Sequence, residues 1–382
     1  MARKKIEKNI AYDTERKLYY VTLNLGKNAD GKYEKKYQTV KSKREARQIL
    51  AAHKREKEKG LVAPLSKDSF VSLIEQMIDL KALQLQETTI YAYRRMLKNH
   101  FIPFFKNDPV ESINLQKLQQ YKLLKSKTLS ANTINKHFAL LHMALQDAMR
   151  KQKIFQNVAD YIEPMKIEKK KIQYINTEEA AALCESVKDT QLELAVTLAI
   201  YLGLRRGEVL GLRWGDIDFD KGTVKIANTR TKAGGSVIEK DPKTEKSKRT
   251  LQMCSAVISV LKKALEQKRE REMGPYFHVK SDYVVVNAIG KPFSPNYLSD
   301  QFHEHVKSRG MKQIRFHDLR HAFASIAYSA GVPVPAISAA MGHSNMGTTL
   351  SIYTHEFDEI HERSTKAVAE ALENASIPVN AC

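Results

Sequence analysis

The chain has 382 residues, 42 % of them hydrophobic, which is long enough for two or three globular domains and excludes an intrinsically disordered protein. Lys and Arg number 63 against 43 Asp and Glu, so the net charge is +20. The pI is about 9.6. This excess indicates a polyanionic partner, for which nucleic acid is the default. A basic protein that binds no nucleic acid stays open as the alternative.

The cysteines and the apolar runs indicate the compartment. Cys184, Cys254 and Cys382 are scattered and form no CxxC pair, which favours a reducing environment over a disulfide framework. The longest apolar run, Ala195–Leu204, is too short to cross a bilayer, and no secretory signal begins the chain. We therefore expect a cytoplasmic protein that contacts no membrane.

Residues 1–60 carry a charge of +10, half of the net charge. Residues 18–23 and 35–40 predict strands, and a Ser42-x-x-Glu45 capping box predicts a basic helix after them. A small basic sheet-plus-helix module of this kind can lie in a DNA groove. The alternative is a solvated charged surface without a ligand.

After a linker that contains Pro64, residues 68–160 show apolar residues at helical spacing and predict an all-helical bundle. Most of these apolar residues belong to the core. The predicted helices contain residues 70–78, 90–101, 115–121 and 130–150.

The helical region also contains candidate DNA-binding residues. Arg94, Arg95 and Lys98 are interleaved with the apolar positions of the second predicted helix. Ser130 and Thr133 begin the fourth, where free backbone N–H groups can hold a phosphate.

The rest of the chain predicts a mixed region in which helices dominate. Thr177 is the predicted N-cap of a helix with acidic residues in its first turn. Residues 222–226, 236–239 and 249–252 predict one short antiparallel sheet.

The chemistry-bearing motifs lie in this third region and suit a phosphodiester. Guanidinium groups bind phosphate oxygens bidentately, imidazoles move protons near neutral pH, and a phenol can form a covalent intermediate. Glu208 has the spacing that lets a carboxylate orient Arg205 on the next helical turn. The motifs are, in chain order, Arg205-x-x-Glu208, His317-x-x-Arg320, Gly342-His343 and Tyr353.

This order of residues, with a lysine on a β-hairpin between the first two motifs, resembles the tyrosine recombinases of the phage integrase family. The resemblance covers nearly the whole chain. It implies an α+β multidomain fold that is mainly helical, with a small β-sheet/helix module, a four-helix domain and a mixed catalytic domain with a small antiparallel sheet. The expected domains are an arm-type DNA-binding module (1–60), a core-binding domain (68–160), a catalytic domain (172–357) and a helical tail (358–382).

The resemblance also implies a role for each motif residue. Tyr353 would attack the scissile phosphate and form a 3′-phosphotyrosyl link, which conserves the bond energy and needs no cofactor. Arg205 and Arg320 would bind the non-bridging oxygens, and His317 would accept or relay a proton. His343 would donate a hydrogen bond to the phosphate.

The residue expected to protonate the leaving 5′-oxygen is Lys243, and Lys240, Lys246 and Lys248 are alternatives.

Alternatives remain at several levels. His317 and His321 have the i, i+4 spacing of a zinc helix, but no third ligand cluster follows, so we expect no metal. The acidic tail would dock either on its own domain or on a neighbouring subunit. A DNA-relaxing enzyme with the same chemistry and a non-catalytic DNA-binding protein are the alternative functions.

The expected partners are double-stranded DNA at core-type and arm-type sites, other copies of the chain in a tetrameric synapse, and an accessory DNA-bending or directionality factor.

Overall fold

The structure is a computed structural model, and the chain divides into two compact units, Met1–Lys170 and Lys171–Cys382. The finer domain limits drawn from the sequence stay predictions. The predicted tail, 358–382, falls almost entirely outside the described part. The structure describes residues 3–27, 33–58, 69–168, 175–240, 248–275 and 279–342, together with 369, 370 and 372.

The first unit begins with an antiparallel sheet in the order β1-β2-β3-β4, followed by helix α1. Ala46 of α1 packs with Ile10, Val21 and Val40 of the sheet in one small hydrophobic core. The predicted strands β3 and β4 are confirmed, whereas β1 and β2 were not predicted because they are short and carry little apolar pattern. The bounds are β1 Arg3–Glu7, β2 Ile10–Asp13, β3 Leu18–Lys27, β4 Tyr33–Val40 and α1 Lys43–Glu58.

The helical part of the first unit contains the helices that the sequence predicted. Ser69, Asn114 and Ser130 each cap a helix by accepting a backbone N–H with the side-chain oxygen. A turn of π-helix, Leu97–Phe101, joins α3 to α4 in one continuous helical run. The bounds are α2 Phe70–Ala82, α3 Glu87–Met96, α4 Ile102–Phe105, α5 Leu115–Ser126 and α6 Ala131–Arg150.

The second unit packs its helices around α8, whose residues are buried on most sides. Such an apolar helix needs neighbours all round, and α10 and α12 both contact it. The helix bounds are α7 Thr177–Ser186, α8 Glu193–Leu202, α9 Arg206–Gly211, α10 Ser255–Met273, α11 Pro295–Ser308, α12 Asp318–Ser329 and α13 Val334–Met341.

The predicted single sheet of this unit is wrong in its pairing. Among the described residues the strands form two sheets, β5-β6-β9 and the hairpin β7-β8. The sequence analysis missed β7, so the strand around Ser236 lacked its true partner. The bounds are β5 Ile217–Asp218, β6 Thr223–Ile226, β7 Thr229–Ala233, β8 Ser236–Lys240 and β9 Arg249–Gln252.

The fold class is confirmed: in the described ranges helices dominate, and the sheets are small and antiparallel. One cap was misplaced by a residue, because Asn176 rather than Thr177 caps α7 in a capping box with Glu179. Within the described residues, every helix is too short or too polar to cross a membrane.

Candidate active site

Arg205 occupies the N-cap position of α9, two residues after the left-handed Gly203 that ends α8. The first turn of α9 brings Glu208 back toward it. Arg205 donates from Nη1 to Glu208 Oε1 at 2.7 Å and from its backbone N–H to Oε2 at 2.9 Å. About a third of the Arg205 side chain, 34 %, stays exposed, so its guanidinium is oriented and still open to a ligand.

Glu208 is buried, with 3 % of its side chain exposed, and it pairs with Arg249 of β9. Arg249 donates from Nη2 to Oε2 at 3.0 Å and from Nη1 to Oε1 at 3.3 Å. Burial acts to raise the pKa of Glu208, but hydrogen bonds and positive charge from Arg249 and Arg205 outweigh it and lower the pKa. The carboxylate is therefore ionised at neutral pH.

Arg249 is a residue that the sequence analysis did not single out. A weak signal existed: β9 alternates, so Arg249 lies on the same face as Leu251, which packs against the core. An arginine at a core-facing position needs a buried acceptor. The sequence alone does not say that this acceptor is Glu208.

Arg320, in the first turn of α12, is almost completely buried, with 1 % of its side chain exposed. It donates from Nη1 to the carbonyl of Gly203 and from Nη2 to the carbonyl of Met341, both at 2.7 Å. Burial, and then the positive charge of Arg205, lowers its pKa to about 9. The guanidinium therefore remains charged at neutral pH and contributes positive potential to the site.

The C-terminal end of α13 is where these arginines meet. Its successive carbonyls accept from different guanidinium groups: Ala340 from Arg249 at 2.6 Å, Met341 from Arg320 at 2.7 Å and Gly342 from Arg205 at 3.0 Å. The end of a helix carries partial negative charge, so guanidinium groups stabilise it. Gly342 has φ +65°, and a Cβ there would lie 2.9 Å from Arg249 Nη1.

His317 lies at the N-cap of α12, and the centroid of its ring is 5.2 Å from that of the His321 ring. Desolvation by the surrounding protein, followed by the neighbouring His321 and Arg320, lowers its pKa to about 4. The imidazole is therefore neutral at neutral pH and able to accept a proton. Asp318 accepts a hydrogen bond from Arg315 at 2.7 Å.

The remaining predicted catalytic residues, Lys243, His343 and Tyr353, lie outside the described residues. Gly342, the residue before His343 in the sequence, accepts a hydrogen bond from Arg205, so the described end of α13 lies at the arginines. Among the described residues no His, Cys, Asp and Glu side chains cluster as a metal site would require.

A separate cluster anchors the β7-β8 hairpin, beyond which Lys243 lies. Glu239 and Arg230 are cross-strand partners, and the Arg230 guanidinium lies 4.4 Å from the centroid of the Tyr283 ring. Arg213 donates to Glu239 at 2.8 Å, and the Tyr283 hydroxyl also donates to this carboxylate. The hairpin base is therefore held by charge and by cation–π contact.

The candidate DNA-binding residues of the first unit lie at two places, on α3 with the π-helical turn after it and at the start of α6. Arg94 pairs with Asp79 at 2.9 Å, and Arg95 and Lys98 are exposed.

At the start of α6, the Ser130 hydroxyl oxygen accepts the backbone N–H of Thr133 at 3.3 Å and lies 2.9 Å from the Thr133 hydroxyl. The backbone N–H of Thr133 was predicted to be free to bind a phosphate. In the structure it is already hydrogen-bonded to Ser130 within the helix cap.

Comparison with known families matches two parts of the chain. Residues 166–359 match the phage integrase family, and residues 69–123 match the family described as phage integrase, N-terminal SAM-like domain. The first match spans half of the chain and contains Arg205, Glu208, Arg249 and Arg320.

Relatives of low sequence identity match nearly the whole chain. A tyrosine recombinase XerC-like protein of Caldanaerobacter subterraneus is 28 % identical over 378 residues, covering 92 % of this chain and 94 % of that protein. The ICEBs1 integrase of Bacillus subtilis is 22 % identical over 338 residues, covering 87 % of this chain and 90 % of that protein.

Solved structures share the fold. The integrase of transposon Tn1549, in complex with a circular intermediate DNA, has a TM-score of 0.68 at 20 % identity and covers 78 % of this chain and 99 % of its own. A lambda integrase tetramer bound to a Holliday junction has a TM-score of 0.59 at 16 % identity, covering 92 % of this chain and 96 % of its own.

Proposed function

Since this chain belongs to the phage integrase family, we propose that the arginine–carboxylate cluster holds the scissile phosphate during site-specific DNA recombination. The chain is a tyrosine-type site-specific recombinase. The observation that carries the phosphate-binding role is the unequal exposure of the arginines: Arg205 is partly open, whereas Arg249 and Arg320 are buried behind it.

In the proposed reaction, the Tyr353 phenolic oxygen attacks phosphorus, and the bond from phosphorus to the 5′-oxygen breaks. The phenol proton passes to a base, and neutral His317 suits this role because its lowered pKa leaves the imidazole unprotonated at neutral pH. Lys243 gives a proton to the leaving 5′-oxygen. Reversal of these steps with a new 5′-hydroxyl rejoins the DNA, so no nucleotide or metal cofactor is consumed.

The charge balance of the described site favours an anion. One ionised carboxylate, Glu208, lies among Arg205, Arg249 and Arg320, so the cluster keeps excess positive charge. Guanidinium groups fixed before the substrate arrives stabilise the charge that develops on the non-bridging oxygens without reorganising.

The proposed partners follow from the same family and from the charge distribution. The module 1–60 would bind arm-type DNA sites and the helical region 68–160 core-type sites. Integrases of this fold have been solved on DNA, among them a dimer on a core site and a tetramer on a Holliday junction. We infer that this chain likewise assembles as a tetramer on DNA in the cytoplasm, with an accessory bending or directionality factor.

The decisive experiment traps the covalent intermediate on a nicked suicide substrate that contains the cognate core site. Wild type is expected to form a denaturant-resistant protein–DNA adduct, and Tyr353→Phe to form none while retaining DNA affinity, because it lacks only the attacking oxygen. Tyr297→Phe is the matched control, since Tyr297 is an exposed tyrosine of the same unit.

Adducts that persist in Tyr353→Phe would remove Tyr353 as the nucleophile. A wild-type protein that binds the site and yields neither adduct nor recombinant product would contradict the proposed reaction.

A further inference from the structure

Arg249 lies on β9, yet its guanidinium reaches two distant segments of the second unit. Nη1 and Nη2 donate to the two oxygens of Glu208, and Nε donates to the carbonyl of Ala340 at 2.6 Å. Each guanidinium nitrogen is thus engaged by protein. With 8 % of the side chain exposed, Arg249 is placed to hold other groups rather than the substrate.

The two acceptors of Arg249 are connected to the substrate-facing parts of the site. Glu208 orients Arg205 through the 2.7 Å ion pair, and Ala340 belongs to the last turn of α13, just before His343. A shift of the Arg249 guanidinium would therefore move Arg205 and loosen the helix end at once. A Cβ at Gly342 would lie 2.9 Å from Nη1, so the Arg249 guanidinium occupies the space beside this glycine.

We propose that Arg249 is a positioning residue for recombination, which fixes the Glu208 carboxylate and the α13 end so that Arg205 points at the scissile phosphate. This inference rests on the proposed function. The role needs the planar fork of arginine, because a lysine keeps the charge but offers a single point donor that cannot serve both carboxylate oxygens and the Ala340 carbonyl in fixed directions.

The test is Arg249→Lys in the full chain, measured in two ways on the same core-site DNA. The single-turnover rate of adduct formation on the nicked suicide substrate should fall by about tenfold or more, because misplacement of a phosphate ligand costs rate. The Kd for the DNA should stay within about twofold, since binding is dominated by other phosphate contacts. Lys225→Gln, an exposed change on the paired strand β6, should alter neither the rate nor the fold.

A double-mutant cycle separates positioning from an independent effect. If Arg249 acts through Arg205, Arg249→Lys should cost little further rate in an Arg205→Lys background, so that the two losses are not additive. Additive losses, or a rate of Arg249→Lys within about twofold of wild type, would overturn the proposal.

The fold of each variant is followed by the fluorescence of Trp214, the single tryptophan, which packs on the core of this unit. Unfolding of Arg249→Lys at the assay temperature would assign it a purely structural role and would equally overturn the proposal. Failure of wild type to form adducts, by contrast, would contradict the recombinase reaction itself and not the role of Arg249.

Discussion

In our proposal the second unit and the helical region of the first unit both act on DNA phosphate through basic residues, but in opposite environments. The second unit supports the partly open Arg205 with two further arginines. Arg249 and Arg320 are buried and bonded to a carboxylate or to backbone carbonyls. Arg95 and Lys98 are exposed on α3 and the turn that follows it. Buried guanidinium groups cost desolvation and are fixed in direction, whereas exposed ones cost little and act through screened charge.

The two environments suit two different tasks. A phosphoryl transition state needs donors that are oriented before the charge develops, and only a packed network provides that. General attraction to a DNA backbone needs charge at the surface and tolerates mobile side chains. Substitutions in the arginine network of the second unit should therefore change stability and reaction rate. Substitutions at exposed basic residues of the helical region should change DNA affinity and its salt dependence.

The largest effect is expected at Glu208, whose loss would leave buried guanidinium groups without their carboxylate. Glu208→Gln should lower the free energy of unfolding of the second unit by about 3 to 5 kcal/mol. Urea unfolding followed by Trp214 fluorescence measures this unit directly, because Trp214 is the single tryptophan.

Glu185→Gln is the matched control, since Glu185 of α7 is exposed and forms an ion pair with Lys188, three residues further along the chain. Its effect should stay within about 0.5 kcal/mol. Equal losses in the two variants would mean that burial of the network contributes nothing to stability, and the contrast between the regions would fail.

His137 of α6 is a buried titratable group in the helical region, and it provides a second contrast with the arginine network. Its Nδ1 lies 2.8 Å from the Tyr121 hydroxyl, and its ring centroid lies 4.7 Å from that of His100, with the two rings tilted by 42°. Burial, followed by positive charge from His100 and Lys125, lowers the pKa of His137 from 6.5 to about 4. The arginine network keeps its charge over the same range.

The folded state thus binds fewer protons than the unfolded chain between pH 6.5 and about 4. The stability contributed by neutral His137 is complete above pH 6.5 and is lost as the pH falls through this window, by on the order of 3 kcal/mol. The protection of α6 amides against hydrogen exchange should decline as the pH falls through this window. It is measured by equilibrating the protein in urea at each pH and then applying a pulse of labelling at one fixed pH.

His137→Gln should flatten this dependence, whereas His142→Gln on the same helix should preserve it, because His142 is exposed and paired with Asp160. A pH dependence that survives in His137→Gln would show that another group titrates.

The smallest effect on stability is expected from the exposed basic residues. Arg95→Gln should change the free energy of unfolding by no more than about 0.5 kcal/mol. It should weaken binding to all DNA sequences alike and reduce the slope of log K against log salt by about one, because one phosphate contact is lost.

Fluorescence anisotropy at a series of KCl concentrations measures both quantities. An unchanged slope would place Arg95 away from the DNA backbone.

Much of the site was predictable because it is local. Arg205 and Glu208 share one helical turn, so their pairing follows from spacing. The helices of the middle region follow from apolar periodicity and from caps such as Ser130. The family resemblance was carried by the order of the motifs along the chain, which are Arg205, a hairpin lysine, His317-x-x-Arg320, Gly342-His343 and Tyr353.

What was missed depends on contacts between distant segments. β7 is a short polar strand, Thr229–Ala233, that becomes visible only through its partner β8. The Arg249–Glu208 pair joins residues 41 positions apart, and the contact of Arg249 with Ala340 spans 91. Side-chain periodicity carries no information over such separations, because many acceptors would satisfy the same buried arginine.

The charge and the helical regions could thus be read from the sequence, since composition and periodicity are local properties, and the family resemblance supplied the candidate catalytic residues. Only the tertiary structure decided which arginine stays open to a ligand and which ones are buried behind it. The physical reason is desolvation: a guanidinium keeps a fixed direction only where packing removes water and supplies acceptors, as Glu208 and the carbonyls at the end of α13 do.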